Sequence, residues 1–60
     1  MTAKEVEKLI KADGWYLYDI IGSHHQYKHP HKSGKVTIPF HGGDIKKGTL
    51  ASIKKQAGIQ

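Results

Sequence analysis

The stretch Gly22-Ser23-His24-His25-Gln26-Tyr27 places two adjacent imidazoles directly after a Gly-Ser turn. Imidazole both takes up and releases a proton near neutral pH without special surroundings. All five histidines fall between His24 and His41, and three kinds of chemistry compete for them. The first is general acid/base catalysis on RNA. An internal 2′-OH attacks the adjacent phosphorus once something removes its proton and something else protonates the leaving 5′ oxygen. Lysines nearby would stabilise charge developing on the phosphoryl oxygens, and no metal is required. The second is a zinc site drawn from His24, His29 and His31, with His41 approaching through strand pairing. That site would lack thiolates, and Lys28, Lys32 and Lys35 would put positive charge around a dication. The third is structural. On that reading His25 packs as an amphipathic filler beside Tyr27, while His29 and His31 flank Pro30 in a solvated loop.

Other residues fit contacts to phosphate. Gly22 would allow a substrate backbone to approach closely, and Ser23 offers a hydroxyl or N–H. His41-Gly42-Gly43 reads first as a strand-ending turn and second as the rim of a groove. Lys46-Lys47-Gly48-Thr49 opens the last helical segment, where exposed N–H groups and two lysines form a seat for phosphate. A plain turn or solvated loop accounts for each of these segments as well. The charge balance suits a polyanion, though a basic surface that serves solubility alone accounts for it equally well: ten cations face five carboxylates, for a formal net charge of +5 with the histidines neutral. Every cation is Lys. Lysine is a point charge without the planar fork that reads guanine, so the charge suits sequence-tolerant backbone binding. An acidic protein partner would be drawn by the same field.

The elements that must hold these residues are punctuated clearly. Thr2 stands three residues before Glu5, the spacing of a capping box. Val6, Leu9 and Ile10 then recur at helical spacing, and Asp13-Gly14 stops a helix that runs over about Ala3 to Ala12. Trp15 to Ile21 reads as a strand, with Trp15, Leu17 and Asp19 on one face and Tyr16, Tyr18 and Ile20 on the other. After the Gly22-Ser23 turn, a second strand over about His24 to His29 puts His24, Gln26 and Lys28 on one face and His25, Tyr27 and His29 on the other. Pro30 ends it. Val36 to Phe40 is the third strand, and Pro39 gives it an edge position or a bulge. Leu50, Ile53 and Ala57 share a face of the final helix, with Gly58 as its left-handed stop. The fold class is α+β, in the order α-β-β-β-α. A three-stranded antiparallel sheet is covered on one face by two helices and open on the other.

Sixty residues make a single domain over 1–60, marginal in core size and without Cys to staple it. No apolar run is long enough to cross a bilayer, and the N-terminus alternates in charge, so a soluble cytoplasmic protein with no membrane association is expected.

The same residues, taken in order, resemble a known family. Asp13-Gly14-Trp15, the Gly-Ser-His-His-Gln-Tyr element, Val36-Thr37-Ile38-Pro39-Phe40-His41-Gly42 and the closing Lys47-Gly48-Thr49-Leu50…Lys55-Gln56-Ala57-Gly58-Ile59 together look like the HicA toxins of bacterial and archaeal toxin–antitoxin pairs. The likeness spans essentially the whole chain. It implies a fold similar to double-stranded RNA-binding domains and the activity of a ribosome-independent mRNA interferase. It also implies neutralisation by a HicB-type antitoxin, expected to be acidic, that covers the active site. The family's catalytic histidine, directly after Gly-Ser, carries over to His24. The second proton-transfer group stays unassigned. Gly22, Ser23, Lys28, Lys46 and Lys47 are the expected RNA contacts, with no metal and no cofactor. The alternative is a non-catalytic RNA-binding module of the same double-stranded RNA-binding-like fold. A helix-turn-helix DNA binder fits less well, because the two helices flank the sheet instead of adjoining each other.

Overall fold

The capping box at Thr2 forms as its spacing demands. In the computed structural model, which describes residues 1–59, the Glu5 amide donates to Thr2 Oγ1 at 3.2 Å and the Thr2 amide donates to Glu5 Oε1 at 2.8 Å. Two orphan N–H groups are thereby satisfied, and helix α1 runs Ala3–Ala12. Its apolar stripe buries Ala3, Val6 and Ile10. Strands β1 (Tyr16–Ile21), β2 (His24–Lys28) and β3 (Val36–Pro39) follow as an antiparallel meander in the order β1-β2-β3. Helix α2 covers Lys47–Ala57. It ends in a Schellman arrangement: Gly58 N–H bonds the Lys55 carbonyl and Ile59 N–H the Lys54 carbonyl. Ile59 then packs against the core.

That core joins Val6 and Ile10 of α1, Tyr27 of β2, Val36 and Ile38 of β3, Ile53 and Ala57 of α2, and Trp15. Tyr27 is fully buried, and its hydroxyl donates to the Glu7 carboxylate on α1. Burial, with that carboxylate beside it, pushes the phenol above the ordinary tyrosine range. Full burial of side chains this size contributes roughly 1.5–3 kcal/mol each, so the helices are held mainly over β2 and β3. All six residues of β1 remain exposed, Ile20 by 52 % and Ile21 by 61 %.

Two expectations from the sequence need correcting. Simple alternation put Tyr16, Tyr18 and Ile20 on one face of β1, but the register slips between Leu17 and Asp19. Tyr18 is the extra residue. Past it, Ile20 lies opposite His25 on the helix side, and Asp19 and Ile21 lie opposite Gln26 and His24 on the open side. A bulge reverses alternation for everything beyond it. Trp15, meanwhile, stands before the strand, and its amide donates to the Ile10 carbonyl of α1.

His29 is the second correction. It leaves the ladder and is half-buried instead of solvated. Its Nδ1 accepts from the amides of His31 (3.0 Å) and Lys32 (3.2 Å). A nitrogen that accepts two N–H bonds carries no proton, so Nε2 holds it and donates to the Asp13 carbonyl at 2.7 Å. The ring also meets Trp15 edge-on, with centroids 5.2 Å apart. Lys32 completes the tie, donating to Asp13 Oδ2 at 2.5 Å and to the Ala57 carbonyl at 3.0 Å. One loop thus caps the C-terminal ends of both helices, where a cation is favoured. Gly14 is required beneath it: φ is +106°, and a Cβ there would stand 2.7 Å from His29 Nε2.

His29→Ala is therefore expected to destabilise the fold by about 2 kcal/mol through unsatisfied amides, lowering Tm by about 10 °C. A His29→Ala melt superimposable on the wild type would refute the staple. A second expectation concerns acid. The Lys32 hydrogen bond holds the Asp13 carboxyl below its usual range, and the Thr2 amide does the same for Glu5. Depressed carboxyls add stability that is present above about pH 4 and is lost as pH falls through their folded-state values. Thermal melts should weaken progressively below about pH 4, and Asp13→Asn should decline less steeply over the same window.

Candidate functional site

The end of the sheet at the Gly22-Ser23 turn gathers the reactive side chains. Gly22 has φ +60°, and among the described residues no non-glycine residue has positive φ, which suits a two-residue hairpin loop needing left-handed backbone only at its first position. That tight loop starts β2 at His24, whose Cα partner across the sheet is Pro39. One further rung closes this end: the Phe40 amide donates to the Ser23 carbonyl at 2.7 Å. Side chains alternate along an extended chain, so His41 falls on the same side as Pro39 and His24.

The two rings meet edge to face, with centroids 5.7 Å apart and planes at 86°. Ser23 Oγ lies 3.3 Å from His41 Nδ1. Both imidazoles are exposed. Among the described residues, no protein group is hydrogen-bonded to the His24 ring. His25 points the opposite way. It is half-buried and stacked on Phe40 at 3.8 Å, with its Nδ1 enclosed and without a hydrogen-bond partner among the described residues. Two neighbours in sequence thus have different fates: His25 packs and His24 faces solvent.

The loop after His41 lines a cleft of about 390 Å³ with Pro39, Ile45, Lys46 and Thr49. It is pinned from behind, since the Ile45 amide donates to the Met1 carbonyl at 2.7 Å and Thr2 bridges Asp44. Lys46 is the N-cap of α2 and makes no side-chain capping bond; there is no acidic residue in the first turn. The helix start therefore presents first-turn N–H groups that no side-chain cap fills among the described residues, beside two exposed lysines, Lys46 and Lys47. Among the described residues, Asp44 is the one carboxylate lining the cleft.

Of the expected site residues, His24 and Ser23 lie together, and Gly22 supplies the turn between β1 and β2. Lys28 is on the same sheet face as His24 but at the far end of β2, its Nζ 4.8 Å above the Tyr18 ring. Lys46 lines the same cleft as His41, and Lys47 follows it as the first residue of α2. The zinc set does not converge. His29 and His31 sit at the opposite end of β2 from His24 and His41, and no group of three potential ligands is brought together among the described residues. Sequence reasoning held His41 only as a loose rim residue. Its signal was parity: counted along β3, positions 39 and 41 share a side.

The family model described as the HicA toxin of bacterial toxin–antitoxin systems matches residues 3–59. Among solved structures, a chain from a toxin–antitoxin complex of Streptococcus pneumoniae superposes with a TM-score of 0.83 at 37% identity, covering 98% of this chain and 98% of that one. The comparison with curated proteins found no match.

Proposed function

The chain belongs to the HicA toxin family, and from that premise we propose that it is a ribosome-independent mRNA interferase with His24 as its catalytic group. The observation that carries the reading is the solvent-facing His24 ring on the open sheet face, edge to face with a second imidazole. An unhindered ring nitrogen can reach a 2′-hydroxyl of a bound strand at hydrogen-bonding distance, and an imidazole is suited to the transfer near neutral pH. The strand would be held by charge. A net charge of +5, Lys28 along the same face and Lys46 with Lys47 at the α2 start offer successive phosphate contacts without base-specific forks. Gly22 would allow the ribose-phosphate backbone close to the turn, and the Ser23 N–H would face it.

The reaction needs only proton transfer and charge stabilisation, so metal ions have no part in it. The sheet's open face and flanking helices make the double-stranded RNA-binding-like architecture a natural host for a polyanion. The resemblance to a chain of a toxin–antitoxin complex further supports a HicB-type antitoxin as partner. An acidic protein laid across His24 would match the field of this surface and exclude RNA.

Purified protein incubated with a long single-stranded RNA is expected to yield discrete fragments. His24→Ala should reduce the rate by about 10²–10⁴-fold with unchanged far-UV circular dichroism and Tm. Full cleavage by a folded His24→Ala protein would remove His24 from the chemistry, and retarded but intact RNA with the wild type would favour the pure binding module. EDTA is expected to leave the rate unchanged; a loss restored by zinc would overturn the metal-free mechanism.

A further inference from the structure

His41 is the other reactive group that this end of the sheet exposes, and its environment differs from that of His24 in a way that bears on proton transfer. Its Nδ1 is engaged by Ser23 Oγ at 3.3 Å, which leaves Nε2 as the free nitrogen. A hydroxyl both donates and accepts. It can donate to Nδ1 of the neutral ring and, after rotation, accept from Nδ1–H of the imidazolium. Ser23 therefore keeps the ring oriented in both protonation states. Ser23 is itself fixed, because its carbonyl takes the Phe40 amide at 2.7 Å. The His24 ring has no such partner among the described residues and is 5.7 Å away, centroid to centroid. His41 also lines the cleft bordered by Lys46 and the α2 start.

We propose that His41 is the second catalytic residue, the general acid that protonates the leaving oxygen, with Ser23 as its positioning residue. The inference rests on the nuclease reading above. In the step it describes, His24 takes the proton from the ribose 2′-OH and the 2′ oxygen forms a bond to phosphorus. The bond from phosphorus to the 5′ oxygen breaks, its electron pair goes to that oxygen, and His41 Nε2 delivers a proton there. The products are a 2′,3′-cyclic phosphate and a 5′-hydroxyl end. His24 leaves the step protonated and His41 neutral, and exchange with water resets both. Two rings at right angles at this separation can address opposite sides of one phosphorus, as an in-line displacement requires.

The test is a matched pair of oligonucleotides with a single ribonucleotide, one with oxygen and one with sulfur at the 5′ bridging position of the scissile bond. A thiolate departs without protonation, so the sulfur substrate does not need an acid. His41→Ala is expected to slow cleavage of the oxygen substrate by about 10²-fold or more and to recover to within about tenfold of wild type on the sulfur substrate. His24→Ala should be slow on both. Equal slowing of both substrates by His41→Ala, or no slowing of either, would overturn the acid assignment while leaving the nuclease reading intact. A wild type that cleaves neither would remove the nuclease reading and this inference with it. His41→Gln, followed by circular dichroism melts alongside, decides the matter if the alanine variant is unfolded.

Discussion

The site depends on one backbone hydrogen bond, from the Phe40 amide to the Ser23 carbonyl at 2.7 Å. It is the last rung where the first turn of the meander meets the exit of β3. His24 and His41 are far apart along the chain, and nothing local holds them near each other. Once His24 stands opposite Pro39 and this rung closes, the pleat puts both rings on the helix-free side. Phe40, between Pro39 and His41, turns inward and stacks on His25. The same few residues thus seal the core on one side and present imidazoles on the other.

Histidine serves three ends here, and what separates them is the partner of each ring. His29 is locked as one neutral tautomer by two amides on Nδ1 and a carbonyl on Nε2, so it has no nitrogen left for chemistry. His25 is enclosed by its stack on an aromatic ring. His24 and His41 are both exposed and meet edge to face. Composition made the five look equivalent; the distribution of backbone donors and acceptors around them did not.

The two ends of the sheet differ in how they are held. At one end His29 and Lys32 tie the β2–β3 connection to the exits of α1 and α2, and strong, short contacts suit a place that need not change. At the other, the His41 loop is held through backbone bonds to the N-terminal segment, and the exposed His41 side chain, met by Ser23 Oγ, lines the cleft. Backbone pinning restrains the loop without consuming the groups a ligand would use.

The sequence by itself determined the local elements. The capping box of α1, the hairpin at Gly22-Ser23, the stop at Gly58 and the solvent-facing parity of His24 all follow from interactions within a few residues, so their signals are written in short spacings. The family resemblance was equally visible there. Tertiary structure decided what depends on register and on distant partners. The slip at Tyr18 turned Ile20 toward the helix side, the Asp13 carbonyl claimed His29, and strand pairing across a seven-residue connection from His29 to Lys35 brought His41 to His24. Those outcomes belong to the fold because pairing register is a property of two strands together, and neither strand's sequence specifies it alone.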